Sequence, residues 1–218
     1  VGYGTNRQDW LYLVERSKKL GVKLFVDRAS TEPHMSVYGH VSITGRANVD
    51  FYDFAEDLTE VKIKTLENVA DYLGVMKLEK RTLIEDIDFA SHWEDAKKRP
   101  LLLKFSRENT HSIMGIADAM LDEAIQLSSL VGLPLDHVGT AAVGFRVEWF
   151  LMREAYRIGE LIPKRFERPY FPYVGGVVLA PKPGLHENIA SLDFKAMYPS
   201  IMIAHNVSPD TYIPPDDP

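Results

Sequence analysis

At 218 residues, 45% of them hydrophobic and 26% charged, the chain has an ordinary globular composition and room for one large domain or two modest ones. Without cysteine it forms neither disulfides nor thiolate metal sites, and with no bilayer-length apolar run and no charged-then-apolar leader it reads as soluble and intracellular. A net charge of −6 excludes a global attraction to nucleic acid but not a locally basic groove.

The first predicted element is a helix in "QDWLYLVERSKKLG", where Trp10, Leu13, Val14 and Leu20 recur at helical spacing, an acid opens the run and Gly21 offers a C-cap. "VKLFVD" follows as a short buried strand, and "SVYGHVSITGRANVDFYDF" alternates on both sides of Thr44-Gly45 as a hairpin would. Thr65 caps a short helix in "LENVADYLG" that stops at Gly74. From Leu101 to Val131 the pattern is helical, with Gly115 the natural place for an interruption. "VEWFLMREAYRIGEL" (147–161) forms another amphipathic helix, which Pro163 ends. The acid clusters "DFAEDLTE" and "EDIDF" read as solvated faces, and the seven histidines show no ligand spacing.

The densest basic stretch, "IPKRFERPY" (162–170), sets Lys164, Arg165 and Arg168 beside Phe166 and Tyr170, which suits either a solvated linker or a nucleic-acid contact. Two β-type runs follow, from Tyr173 to Leu179 and from Asn188 to Phe194, joined by a Pro-Lys-Pro-Gly turn. Asp193 falls at the end of the second run, and Pro199 suits the first turn of a helix through "SIMIAHN". With the backbone N–H groups of Lys195, Ala196 and Met197 at the same turn, this acid either caps the turn or supplies half of a metal-assisted phosphoryl-transfer site.

The longer stretch "DFKAMYPSIMIAHNVSPDT" (193–211) resembles the first polymerase motif of the family B DNA polymerases, Asp-Phe-x-x-Leu-Tyr-Pro-Ser-Ile with the Asn-Val-Ser-Pro-Asp-Thr tail of archaeal members; Met197 stands for the usual Leu. The resemblance implies that Asp193 is catalytic and, with the backbone carbonyl of Phe194, binds a Mg2+ pair bridging the primer 3′ hydroxyl and the incoming dNTP. It also implies that the amides of Lys195, Ala196, Met197 and Tyr198 hold the triphosphate, and that Tyr198 excludes a 2′ hydroxyl. "YVGG" (173–176) is similar to the family's Tyr-x-Gly-Gly element between exonuclease and polymerase domains, which implies template-backbone contacts at Tyr173, Gly175 and Gly176. The implied partners are primer-template DNA, dNTPs and, for a full-length parent, a sliding clamp. The implied location is cytoplasmic and nucleoid-associated, with no membrane.

Upstream, "VGYGTNRQDWLYLVERSKKLGVKL" resembles the family's second exonuclease motif, and "QLSSLVGLPL" and "VEWFLMREAYRIGELIP" resemble the segment leading out of the exonuclease fold. The proofreading pattern is degenerate. Asp9 is kept as a weak metal ligand, but Gly4 and Gln8 replace Asn and Phe, and the third motif, Tyr-x-x-x-Asp, has become Phe105 to Asn109. Phe105 lacks the hydroxyl that orients water, and Asn109 offers a neutral oxygen where magnesium prefers a charged one. Glu108, if helical, points about 100° away. Little or no proofreading is therefore expected. The first exonuclease motif, Asp-x-Glu, and the later Asp-Thr-Asp polymerase motif are both absent from the chain. Alone, it is not expected to polymerise: it reads as an internal piece cut at both ends, part of a split enzyme, or a truncated gene product.

The expected architecture is mixed α/β: a partial RNase H-like exonuclease domain over 1–134, a connecting helix and linker over 135–170, and the β-rich start of a polymerase palm over 171–218. Two other readings stand beside the polymerase one. One is a noncatalytic DNA-binding or accessory module derived from a polymerase. The other is an autonomous RNase H-like nuclease dependent on Asp9, which Asn109 and the missing first motif oppose.

Overall fold

The computed structural model describes residues 1–36, 39–162, 164 and 175–213. Helix α1, Asp9–Leu20, forms where the apolar spacing places it and stops at Gly21, whose left-handed φ of 66° lets the chain close onto the Ser17 and Lys18 carbonyls. The stretch 22–27 is not the buried strand expected from its composition: it carries no strand, and Val22 and Phe25 are exposed. A strand needs a ladder, and this stretch has instead scattered bonds: Arg46 Nε donates to Val26 O at 2.9 Å, and Asp27 Oδ1 accepts from Ala29 N at 3.1 Å and Thr31 N at 2.9 Å, with Arg28 N donating to Thr44 O at 3.1 Å just beyond the stretch.

Strand β1, His34–Met35, pairs antiparallel with β2, Val41–Ser42, placing His34 opposite Ser42. The turn at Thr44-Gly45 is present, closed by Arg46 N donating to Ile43 O at 3.0 Å, but it carries a single isolated bridge, and the paired strands lie upstream of it. The downstream arm of the expected hairpin becomes helix α2, Phe51–Ala55. Asp50 caps that helix by accepting from Tyr52 N, and Phe51, Phe54 and Ala55 turn into the core.

Helix α3, Leu66–Tyr72, is capped by Thr65, whose hydroxyl accepts from Asn68 N at 3.3 Å. After α4, Phe89–Glu94, helix α5 runs unbroken over Arg99–Val131, 33 residues and about 50 Å. Gly115 does not interrupt it. A Cβ there would lie 2.3 Å from Val75 Cγ1, so the glycine admits the segment after α3 rather than ending the helix. The buried face of α5, Ser112, Ile116, Ala117, Met120 and Ala124, follows helical periodicity and packs on α2 and α3; full burial of Phe51 and Ile116 contributes roughly 1.5–3 kcal/mol each. Helix α6, Leu135–Val138, and helix α7, Val143–Ile158, also lie along α5. Helix α7 starts before the expected residue 147 and ends at Gly159 (φ 80°), which caps it before Pro163 is reached.

The chain divides into two units, 1–165 and 166–218. In the second, the described residues 175–196 carry no strand, contrary to the expected β-rich start; Val177 and Leu192 are 90% and 93% exposed. Apolar alternation makes a strand only against a hydrogen-bonded neighbour, and none of the described residues supplies one. Helix α8, Met197–His205, follows, with Pro199 in its first turn, where no intrahelical donor is required. The fold is thus mixed, mainly helical with one small sheet among the described residues, and no described helix is long and apolar enough to cross a membrane.

Gly115→Ala is expected to lower stability by roughly 1–2 kcal/mol, because overpacking against stiff Val75 outweighs a helix-propensity gain of about 1 kcal/mol. In a Val75→Ala background the same change becomes neutral or stabilising, a reversal that urea unfolding of the four proteins measures.

Candidate functional site

The segment 2–9 is shaped by one buried acid. Oδ1 of Asp50 accepts from Gly4 N at 2.7 Å and Tyr52 N at 3.1 Å, while Oδ2 accepts from Asn6 N at 2.9 Å and Thr5 Oγ1 at 3.3 Å. The backbone adds Gly2 N to Val49 O at 2.9 Å and Phe51 N to Gly2 O at 2.8 Å. Gly4 sits at φ 72°, a conformation that Asn also tolerates, so the change from Asn keeps the turn. Buried Asn6 accepts from Val41 N and Asn48 Nδ2, both at 3.0 Å, and Trp10 Nε1 donates to Asn48 Oδ1 at 3.1 Å. These contacts set Asp9 at the first turn of α1, lining a cleft with Arg28, Arg46 and Asn48. Partial desolvation, and then Asp50, push the Asp9 carboxyl up.

Asp53, from an acid cluster expected to be solvated, has a side chain only 10% exposed, because α2 turns it inward. Burial first, then Asp50, raise its pKa to about 6, against the opposing pull of Arg7 at 3.7 Å.

Phe105 and Asn109 lie on α5, in a different neighbourhood from Asp9. Phe105 packs against Phe89, with ring centroids 5.6 Å apart and tilted by 54°, and lines a cleft with Glu67, Leu83 and Ile87. The oxygen of Asn109 accepts from the guanidinium of Arg81, which also donates to Ser112 Oγ at 2.9 Å and stands 3.6 Å from the Glu67 carboxylate. The Arg81 side chain is 0% exposed. Glu108 is committed elsewhere: it accepts from Thr82 N at 2.8 Å, and although desolvation acts to raise its pKa, the Thr82 bonds and Lys104 leave it lowered. A neutral amide already bonded to a buried guanidinium does not fit a divalent metal, which would meet the cation at close range. Arg81 escapes sequence reading because nothing in "KLEKRTLIED" marks it for burial.

In the second unit, Asp193 and Phe194 are exposed just before α8, and Ala196 turns the chain into the helix at φ 47°. Ser200 N donates to Ala196 O at 2.9 Å and its hydroxyl to Lys195 O at 3.2 Å, while the first-turn amides, including Met197 and Tyr198, have no intrahelical acceptor. Lys195 and Tyr198 are exposed as well. The Asp193 carboxylate and Phe194 carbonyl are hard oxygens of the kind magnesium prefers, so the donor type fits, although they offer one charge only. A Cβ at Gly175 or Gly176 would meet no atom within 4 Å among the described residues, so none of these demands glycine there; Tyr173 lies outside the described residues. Among the described residues the one group of three or more acids and histidines with metal-ligand proximity is His40, Asp136 and His137, which includes neither Asp9 nor Asp193.

A model of DNA polymerase family B matches residues 133–218. All of this chain aligns with "DNA polymerase 2" of Aeropyrum pernix at 54% identity and with the DNA polymerase of Archaeoglobus fulgidus at 42%, spanning 27% of each relative's length. The structure of the family B DNA polymerase from the hyperthermophilic archaeon Pyrobaculum calidifontis is similar over 100% of this chain and 28% of that one, with a TM-score of 0.79 and 52% identity.

A raised folded-state pKa means that the Asp53 contribution to stability is fully present below about pH 4 and is lost as pH rises through about 6. Asp53→Asn should therefore flatten the fall in stability between those values and gain at most roughly 3 kcal/mol at pH 7, read from denaturation midpoints across pH.

Proposed function

We propose that the chain belongs to DNA polymerase family B and works as part of a DNA-directed DNA polymerase that extends a primer, and that its exonuclease-like region no longer proofreads. The observation that carries the reading is the unbroken motif from Asp193 to Ile201, with its acid exposed immediately before a helix start. On this reading residues 1–134 derive from an RNase H-like exonuclease domain, 135–170 connect, and 171–218 begin the palm; the division into units at 165 and 166 supports a boundary inside the connection.

Asp193 and the Phe194 carbonyl would hold magnesium, which when bound supplies charge stabilisation at the primer hydroxyl and the triphosphate. The chain's own part is to position. The helix-start amides from Lys195 to Tyr198 meet the triphosphate anion, the Tyr198 ring packs under the sugar and rejects a 2′ hydroxyl, and Gly175 and Gly176 let the template backbone approach. Primer-template DNA and dNTPs are then the ligands, with a sliding clamp as a partner of the whole enzyme and a cytoplasmic, nucleoid-associated location. For the exonuclease half, the bond from Arg81 to Asn109 supports loss of the metal site and argues against an autonomous nuclease.

The test is primer extension and 3′ digestion with magnesium and dNTPs, run for the enzyme that contains this chain and for its Asp193→Asn variant. A metal-binding carboxylate supplies several kcal/mol of transition-state stabilisation, so extension should fall by about 100- to 10,000-fold, with digestion negligible in both. Normal extension by the variant would remove Asp193 from the catalytic role. An unaltered enzyme that cannot extend a primer would leave the noncatalytic DNA-binding module as the reading.

A further inference from the structure

The seven histidines have no ligand spacing along the chain, but the fold brings two of them together. His40 lies in the turn between β1 and β2, and His137 follows Asp136 in α6; one potential ligand atom from each of the three residues lies within 4.8 Å of the others. We propose that His40, Asp136 and His137 form a binding site for one divalent transition-metal ion, zinc by its ligand chemistry, that ties the β1–β2 turn to helix α6.

The strongest observation is His40 itself. Its side chain is fully buried, its Nδ1 lies 2.8 Å from Ser36 Oγ, and its Nε2 has no hydrogen-bond partner among the described residues. A buried imidazole nitrogen is rarely left this way. With Nδ1–H donating to the serine, Nε2 carries the lone pair, and metal-bound histidines are commonly oriented in this manner through their other nitrogen. The His137 ring stands 4.3 Å from that of His40, tilted by 56°, so the two rings are neighbours without stacking face to face. Of the charged and titratable groups acting on His40, Asp136 favours the cation, whereas His137 and His34 oppose it; burial, the largest influence, holds the imidazole toward the neutral form that a metal requires.

Two imidazoles and one carboxylate suit zinc, which takes nitrogen and oxygen donors at about 2.0–2.2 Å and accepts a water as its fourth ligand. Magnesium and calcium, which favour all-oxygen sets, are disfavoured. Asp136 and His137 are both partly exposed, and their ligand atoms already lie within 4.8 Å of that of His40. The result would join two segments far apart in sequence, and it stands independently of the polymerase reading.

The test uses the purified protein stripped with chelator. Zinc is titrated by calorimetry and cobalt(II) by absorption spectroscopy. One equivalent of zinc and the intense visible bands of tetrahedral cobalt are expected. Asp136→Asn and His137→Gln should each weaken zinc binding by about 100-fold or more, and Ser36→Ala by about 10- to 100-fold, with folding checked by circular dichroism. No stoichiometric zinc in the unaltered protein, an octahedral cobalt spectrum, or unchanged affinity in both ligand variants would each overturn the proposal.

Discussion

One buried carboxylate organises the first unit. Asp50 is 4% exposed, and a charge so far from water persists only when hydrogen bonds replace its hydration. The donors that fill it come from residues 4, 5, 6 and 52, so satisfying one acid fixes the N-terminal loop, starts α2 and sets the entry to α1. The same negative charge acts on its neighbours: Asp9 and Asp53 both titrate above the ordinary range, with Asp50 as the second cause in each case after desolvation. A residue that builds the loop therefore also sets the chemistry of the acids the loop carries.

Arg81 poses the converse problem. A buried guanidinium must find acceptors, and it takes them from Glu67, Asn109 and Ser112, drawing α3 and α5 together. The oxygen of Asn109 can serve a guanidinium or a metal, not both at once. An aspartate placed at that position would meet Arg81 first and form an ion pair, which would hold its carboxylate away from a metal.

What was legible in the sequence was local. Helices α1 and α3 followed from apolar spacing together with Gly21, Thr65 and Gly74, because periodicity and caps act within a few residues. The runs 22–27 and 188–194 and the described part of 173–179 read as strands yet carry none, because apolar content cannot say whether a second strand is there to pair, and Gly115 interrupts nothing, because a break and a close contact leave the same letter. In the candidate sites the split runs the same way. Asp193 and Asn109 were visible as a motif and a departure from one, whereas Asp50 and Arg81 draw their meaning from partners 46 and 28 residues away, which no local pattern records.

Under the proposed function, the two family-type metal positions differ in how they fall short. At Asn109 the obstacle is a competing cation with a fully buried side chain, held by its own hydrogen bonds, and only replacing Arg81 would remove it. At Asp193 none of the described residues supplies a competing cation: the carboxylate is exposed, and a magnesium pair needs more negative oxygens around it, which further carboxylates and the phosphates of a bound nucleotide can bring. On that reading, loss of proofreading would follow from the packing of this chain, while a polymerase site at Asp193 would depend on further carboxylates and on the substrate. The same physics makes the His40 cluster the strongest metal candidate among the described residues, since there three donors are already gathered within 4.8 Å of one another.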